Sequence, residues 1–271
     1  MGSIWNGETV IRRKRRMGPD AWKIVLEVPS DGPVIPGQFC HLRIEPSADP
    51  LLRRPFSYWD AVRARRGVSH VTLVFAVVGR GTALLARKRV GETVGYLGPL
   101  GNGFRGKPAR TCVLVAGGVG IVPFHHLVRR FRTLRPPPRL VLFFGGRTAS
   151  RLYGIGEFVR LGVEVHAATE DASRGRRGLV TELLEERLPA LGGRGLRLYA
   201  CGPDPMIEAV VEIARRRELP CWVSLERRMG CALGACGACV VRVAADREGG
   251  WRHSRVCCEG PVYDARRLVL P

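Results

Sequence analysis

Three cysteines spaced C-x4-C-x2-C, Cys231, Cys236 and Cys239, followed by Cys257 and Cys258, constrain this chain more than any other feature. Thiolates are soft ligands, and four of them suit tetrahedral iron or zinc. Structural zinc usually takes two C-x2-C knuckles, whereas C-x4-C-x2-C…C is the plant-type [2Fe–2S] spacing. The spacing therefore favours an iron–sulfur cluster over zinc or unligated core cysteines. The small residues between them, Ala232, Gly234, Ala235, Gly237 and Ala238, let the backbone wrap closely and aim amides at sulfur. Only one of the adjacent Cys257 and Cys258 can readily face a common centre, and spacing alone leaves the fourth ligand open between them. Cys40, Cys112, Cys201 and Cys221 read as ordinary buried residues, with Cys201 set apart because it opens Cys201-Gly202-Pro203. The basic run Arg12–Arg16 is not followed by the apolar core of a signal peptide. Nine cysteines in such a chain point to metal or redox chemistry in the cytoplasm.

The 271 residues suffice for two domains and a small appendage. Trp22–Val28, Gln38–Ile44 and Ser69–Val78 are strand-like and punctuated by turns at barrel-like intervals. Thr82 is expected to cap a short helix over Ala83–Arg89, and Gly98–Gly103 to be an irregular loop. From Pro108 the texture changes to apolar strands, Thr111–Ala116, Leu140–Phe144, Val163–Ala167 and Leu196–Tyr199, separated by helical segments. Val122–Arg132 is one such helix, with Pro123 in its first turn; Asp204-Pro205 reads as a cap and first residue for another, Met206–Arg215. This alternation predicts a doubly wound parallel sheet. After Pro220 roughly fifty residues remain, too few for much of a core without a metal staple. The longest apolar run, Val113–Phe124, is broken by glycines and too short to span a membrane.

Several segments carry nucleotide-binding chemistry. Arg54-Pro55-Phe56-Ser57 offers a bidentate phosphate donor, a fixed turn and a hydroxyl that can reach a flavin ring nitrogen. Gly79-Arg80-Gly81-Thr82 is a glycine turn into a helix N-terminus, an anion site or simply a capped helix. Val115–Gly120 follows a strand and opens a helix, so its amides could cradle a pyrophosphate; it lacks the G-x-G-x-x-G fingerprint, and a plain tight turn reads equally well. No Ser/His/Asp set or paired carboxylates stand out, and His125 and His126 read as structural or surface histidines. The formal charge of +20 comes from Arg residues spread through every segment rather than from a basic stripe. It suits an acidic protein partner at least as well as nucleic acid.

Taken in order, Arg54–Ser57, Gly79-x-Gly81-Thr82, Gly98–Gly101, Val115–Gly120, Cys201–Pro203 and the terminal cysteines resemble the ferredoxin–NADP reductase superfamily. Within it the chain is most similar to the electron-transfer subunits of NAD-dependent, B-type dihydroorotate dehydrogenases. The resemblance covers about residues 20–265. Its most specific parts are Leu225-Glu226-x-x-Met229-x-Cys231-x4-Cys236-x2-Cys239 and Val256-Cys257-x-Glu259-Gly260-Pro261-Val262. It implies an antiparallel FAD-binding β-barrel (1–106), a Rossmann-like NAD-binding α/β domain (107–220) and a small [2Fe–2S] domain (221–271). It implies FAD contacts from Arg54, Pro55, Phe56 and Ser57, from Val74, Phe75 and Ala76, and from Gly81 and Thr82. It implies NAD contacts from Gly117, Gly118, Gly120, Cys201, Gly202 and Pro203, and cluster ligation by Cys231, Cys236, Cys239 and Cys257. Cys257 is chosen because the family's last ligand precedes x-[D/E]-G-P-V. Ser57 would act catalytically, holding the flavin ring where hydride moves to or from nicotinamide. The implied partner is an FMN-containing catalytic subunit that oxidises dihydroorotate to orotate, each chain present twice in a heterotetramer. A hydrogenase or sulfur-reductase gamma subunit on the same chassis, or a non-redox zinc-stapled nucleic-acid module, are the alternatives. NAD against NADP stays open, because Arg147 could meet a 2′-phosphate while Glu170 and Asp171 are not clearly placed to refuse one. Phe56 replaces a common tyrosine, Ala232 stands where glycine is commoner, and an insertion around Asp246–Trp251 precedes Cys257.

Overall fold

Alternation of inward apolar and outward polar residues closes the first hundred residues into a barrel. The computed structural model describes residues 4–29, 33–45, 49–63, 67–192, 195–245 and 250–270, so 246–249 of the insertion lie outside the described residues. Six strands, β1 (Trp5–Arg16), β2 (Ala21–Pro29), β3 (Phe39–Arg43), β4 (Arg54–Arg63), β5 (Val68–Ala76) and β6 (Thr93–Leu100), close in the order β1-β2-β5-β4-β3-β6. Neighbours are antiparallel, and β6 returns to β1. Ile11, Ile24, Leu26, Leu42, Phe56 and Leu73 fill the interior, where the Tyr58 and Tyr96 hydroxyls bond to each other.

Expectations change at three places here, and a segment that carried none joins the barrel. The basic run Arg12–Arg16 is the second half of β1: Thr9 and Ile11 point inward, while the arginines lie outward at the water. Arg54–Ser57 is extended strand rather than a turn, since proline is compatible with the start of a strand. β6 continues through Gly98-Pro99-Leu100, so regular structure enters the segment read as a loop. The following helix, α1 (Arg80–Arg87), starts earlier than expected. Thr82 is its third residue and caps it backwards, its hydroxyl accepting from the amides of Val78 (2.9 Å) and Gly79 (3.2 Å).

The second unit runs β7 (Thr111–Gly117), α2 (Val122–Arg132), β8 (Arg139–Gly146), α3 (Ile155–Arg160), β9 (Glu164–Thr169), β10 (Arg176–Arg177), α4 (Val180–Arg187), β11 (Leu196–Cys201), α5 (Asp204–Arg216) and β12 (Cys221–Ser224). β13 (Val240–Ala244) and β14 (Trp251–Arg255) then form a separate hairpin, before β15 (Val262–Asp264). The large sheet has the order β10-β9-β8-β7-β11-β12-β15, parallel except for β15. It therefore takes two strands, β12 and β15, from beyond residue 220. Asp204 is the first residue of α5 rather than its cap; its carboxylate instead receives Arg227 at 2.8 and 3.1 Å. Among the described residues no helix is long and apolar enough to cross a membrane.

Barrel and sheet meet around Glu157 of α3. Its carboxylate accepts from Lys23 of β2 (2.7 and 2.8 Å), Arg15 of β1 (2.6 Å) and the Trp59 indole of β4 (3.3 Å). His125 of α2 stacks on Trp59, ring centres 4.4 Å apart, and is held neutral because burial lowers it to about 4. Both histidines of α2 are packed inside or half-buried, with no role at the clefts described below.

Candidate functional site

In an open parallel sheet the crevice lies where neighbouring strands send their connections in opposite directions. Here that point is between β7, which leads to β8 and β9, and β11, which leads to β12. The loops leaving the carboxyl ends of both strands pack on each other. A Cβ added at Gly120 would stand 2.1 Å from the carbonyl oxygen of Cys201, so only glycine permits this approach. Gly117, Gly118 and Gly120 from one loop, with Gly202 and Pro203 from the other, line a cleft of ≈ 590 Å³. Arg147 and Glu170, from the ends of β8 and β9, stand in its wall, so a cation and an anion both face this cleft. Asp171 turns away and binds Ser173. Cys201 does not line the cleft; it is 2% exposed beneath it, its thiol pushed well up by burial.

A second cleft, ≈ 410 Å³, opens between the barrel and the segment that leaves β12. Pro55, Phe56 and Ser57 of β4, Val74, Phe75 and Ala76 of β5, and Thr82 of α1 form its barrel wall. These residues come together because β4 and β5 are paired neighbours and α1 follows β5 directly. Arg54 and Gly81 are not in the wall. They lie against each other beside it, the Arg54 side chain occupying the space a Cβ at Gly81 would need (Nε at 2.7 Å). That leaves a guanidinium next to a helix N-terminus, the arrangement an anionic diphosphate prefers.

The two clefts are continuous: Ala76, Val78, Val119 and Glu226 line both. Glu226, Arg228 and Met229 carry no role from the sequence, and Val119 only as part of the Val115–Gly120 turn. The signal for two of them was present, since Leu225-Glu226-x-x-Met229 precedes the first cluster cysteine in the most specific motif.

That segment leads into the cysteine loop. The amides of Leu233 and Cys236 each point at the Cys231 sulfur at 3.4 Å and pull its thiol down to about 6, stabilising the thiolate that metals take. Ala232 sits in the left-handed region (φ 57°), as do Gly234 and Gly237. Cys239 and Cys257 are buried together, the Cys257 amide donating to the Cys239 sulfur at 3.5 Å. Cys258 is exposed, its sulfur 3.6 Å from that of Cys257. Among the described residues no three Cys, His, Asp or Glu side chains converge on one point; the sulfurs face one another in small groups, Cys231 with Cys236, and Cys257 with both Cys239 and Cys258. Four soft donors with amides aimed at sulfur are the donor set of an iron–sulfur cluster, and they fit that group. The barrel braces the loop, Asn102 donating to the Cys258 and Glu259 carbonyls at 3.3 and 3.1 Å.

Residues 226–269 match the family model for the iron-sulfur cluster binding domain of dihydroorotate dehydrogenase B. Residues 114–212 match that for the oxidoreductase NAD-binding domain. The chain is 41% identical over 238 residues to the dihydroorotate dehydrogenase B (NAD(+)) electron transfer subunit of Bacillus caldolyticus, covering 87% of each chain. It is 36% identical over 274 residues to that of Shouchella clausii, covering 97% of this chain and 98% of the relative. Among solved structures, the NADH-dependent reduced ferredoxin-NADP oxidoreductase superposes with a TM-score of 0.79 at 26% identity, covering 96% of this chain and 89% of that one. The ferredoxin NADP+ reductase of Neisseria gonorrhoeae, solved with FAD and NADP, shares the fold with a TM-score of 0.66 at 19% identity, covering 78% of this chain and 91% of that one. The paired clefts, the cysteine loop and these likenesses agree: the chain belongs to the dihydroorotate dehydrogenase B electron transfer subunit family.

Proposed function

We propose that this chain relays electrons between NAD and the FMN of a dihydroorotate-oxidising partner subunit, by way of FAD and a [2Fe–2S] cluster. The observation that carries this reading is the continuity of the two clefts at Ala76, Val78, Val119 and Glu226, from which the chain runs straight on to Cys231. Bound FAD supplies the exchange between two-electron hydride chemistry and single electrons. The residues supply placement. Ser57 orients the ring edge, Phe56, Val74, Phe75 and Ala76 exclude water from it, and Arg54 with the Gly81-Thr82 turn holds the diphosphate. Gly117, Gly118, Gly120, Gly202 and Pro203 present backbone to the dinucleotide, with Cys201 as their buried support. Cys231, Cys236, Cys239 and Cys257 hold the cluster; burial beside Cys239 favours Cys257 over the exposed Cys258.

A barrel (1–106), a nucleotide unit (107–220) and a cluster unit (221–271) remain the working division, with β12 and β15 joining the last two. The complex would be a cytoplasmic heterotetramer with each chain present twice. Family membership supports this partner over a hydrogenase or sulfur reductase and over a zinc-stapled nucleic-acid module. The purified chain should carry FAD and equal iron and acid-labile sulfide, and NADH should bleach the flavin. Arg54→Ala should strip most of the FAD; full retention would sink the diphosphate assignment, and zinc without sulfide would sink the relay.

A further inference from the structure

One ionisable group stands at the junction of the clefts with no part in holding the flavin or the dinucleotide. Glu226 lines both, and among the described residues it is the acid that does so. Its carboxylate reaches solvent through the clefts but is densely surrounded by protein. The nearest guanidinium of its own segment, Arg227, is taken by Asp204. The remaining charges around it are Arg228 in the flavin cleft, and Arg147, Arg151 and Glu170 in the nucleotide cleft, with Arg151 paired to Asp20 at 2.9 Å. Burial, and then the charge of Asp204, raise its carboxyl, and among the described residues no cation forms an ion pair with it. What this position lacks is a positive charge supplied from outside.

Resting on the flavin-and-nicotinamide reading of the clefts, we propose that Glu226 selects the oxidation state of the bound rings, favouring the cationic nicotinamide of NAD+ over the neutral ring of NADH. The same charge acts on the flavin side with the same sign. It favours the neutral oxidised ring over an anionic reduced one and so keeps the flavin more reducing. Both effects suit a subunit that discharges electrons to NAD+: the acceptor is held, the neutral product leaves easily, and the donor ring is poised low. Coulomb attraction in a partly enclosed cleft is large enough to matter and falls away when the charge is removed.

The test compares Glu226→Gln and Glu226→Asp with the unaltered full-length, FAD-loaded chain. Affinities are measured for NAD+ and for a non-reacting tetrahydro analogue of NADH, and the flavin midpoint potential by spectroelectrochemistry. Glu226→Gln should lower the ratio of NAD+ to analogue affinity by about tenfold. It should raise the two-electron flavin potential by about 30 mV, the equivalent of tenfold. Glu226→Asp should restore part of both. An unchanged ratio and potential in a Glu226→Gln chain that retains FAD would overturn the proposal. So would loss of FAD in that variant with retention in Glu226→Asp, which would make the residue a flavin ligand. An unaltered chain that binds neither FAD nor NAD+ would instead defeat the functional reading beneath it.

Discussion

The nucleotide crevice and the cysteine loop are both built from short residues, yet they are held in opposite ways. The crevice loops hang from β7 and β11, central strands whose Val113, Leu114, Val115, Leu198 and Ala200 are fully buried. Gly120 is locked against the Cys201 backbone and Gly202 against that of Gly117. The cysteine loop hangs between β12, one strand in from the edge of the sheet, and a two-stranded hairpin, and Cys236, Cys258 and Leu233 lie exposed. Its own ties are few, among them Leu225 to Pro261 (2.9 Å) and Val256 to Cys239 (3.1 Å). Packing alone shapes the first site in advance, whereas the second needs its metal to finish the shape.

Breaking each site should expose that difference. The largest effect belongs to the cluster: Cys257→Ser should remove nearly all iron and sulfide and unfold the loop to proteolysis while the sheet stays intact. Cys258→Ser should keep both, and the opposite pattern in iron analysis would exchange the fourth ligand. At the crevice, Gly120→Ala drives a methyl group into the Cys201 carbonyl and should cost about 3 kcal/mol in denaturant unfolding, with or without cofactors. A smaller loss would show the two loops can part. At the joint with the barrel, Glu157→Gln leaves Lys23 buried without its partner and should cost about 2 kcal/mol. Burial opposes the Glu157 charge, but Lys23 first, by hydrogen bond and charge, and then Arg15 hold its carboxyl below the ordinary range. Its stabilising contribution is therefore full above the normal glutamate value and lost as pH falls through the lowered one. The unaltered chain should lose more stability than the Gln variant on acidification below pH ~4. The smallest change is a gain: Ala232→Gly relieves a left-handed backbone and should add about 1 kcal/mol to the cluster-free loop. A loss would mean that the buried Ala232 methyl outweighs the strain.

Most of this architecture was legible because its signals are local. β7, α2 and β11 follow from apolar runs and a first-turn proline, and the cluster site from cysteine spacing. β1 is masked in the sequence because its second half carries exposed arginines on a strand, so composition hides the pattern. Thr82 was assigned the wrong capping geometry because a threonine at the third helical position can reach backward as readily as a leading one reaches forward. The place of Glu226 is not local, since only the fold brings residues 76, 119 and 226 to one junction. Asp204 and Arg227 likewise pair across 23 positions of sequence.

The antiparallel pairing of Ser224 with Val262 has a wider meaning. Everything between those residues leaves and re-enters the sheet at neighbouring points. In chain-connectivity terms the cysteine-bearing module is therefore a decorated hairpin loop, not a tail. It has no linker along which to swing, and its standoff from the clefts is set by two strands of the same sheet. Such a module could be exchanged for one of another length or redox character through two adjacent splice points, leaving the nucleotide sites in place.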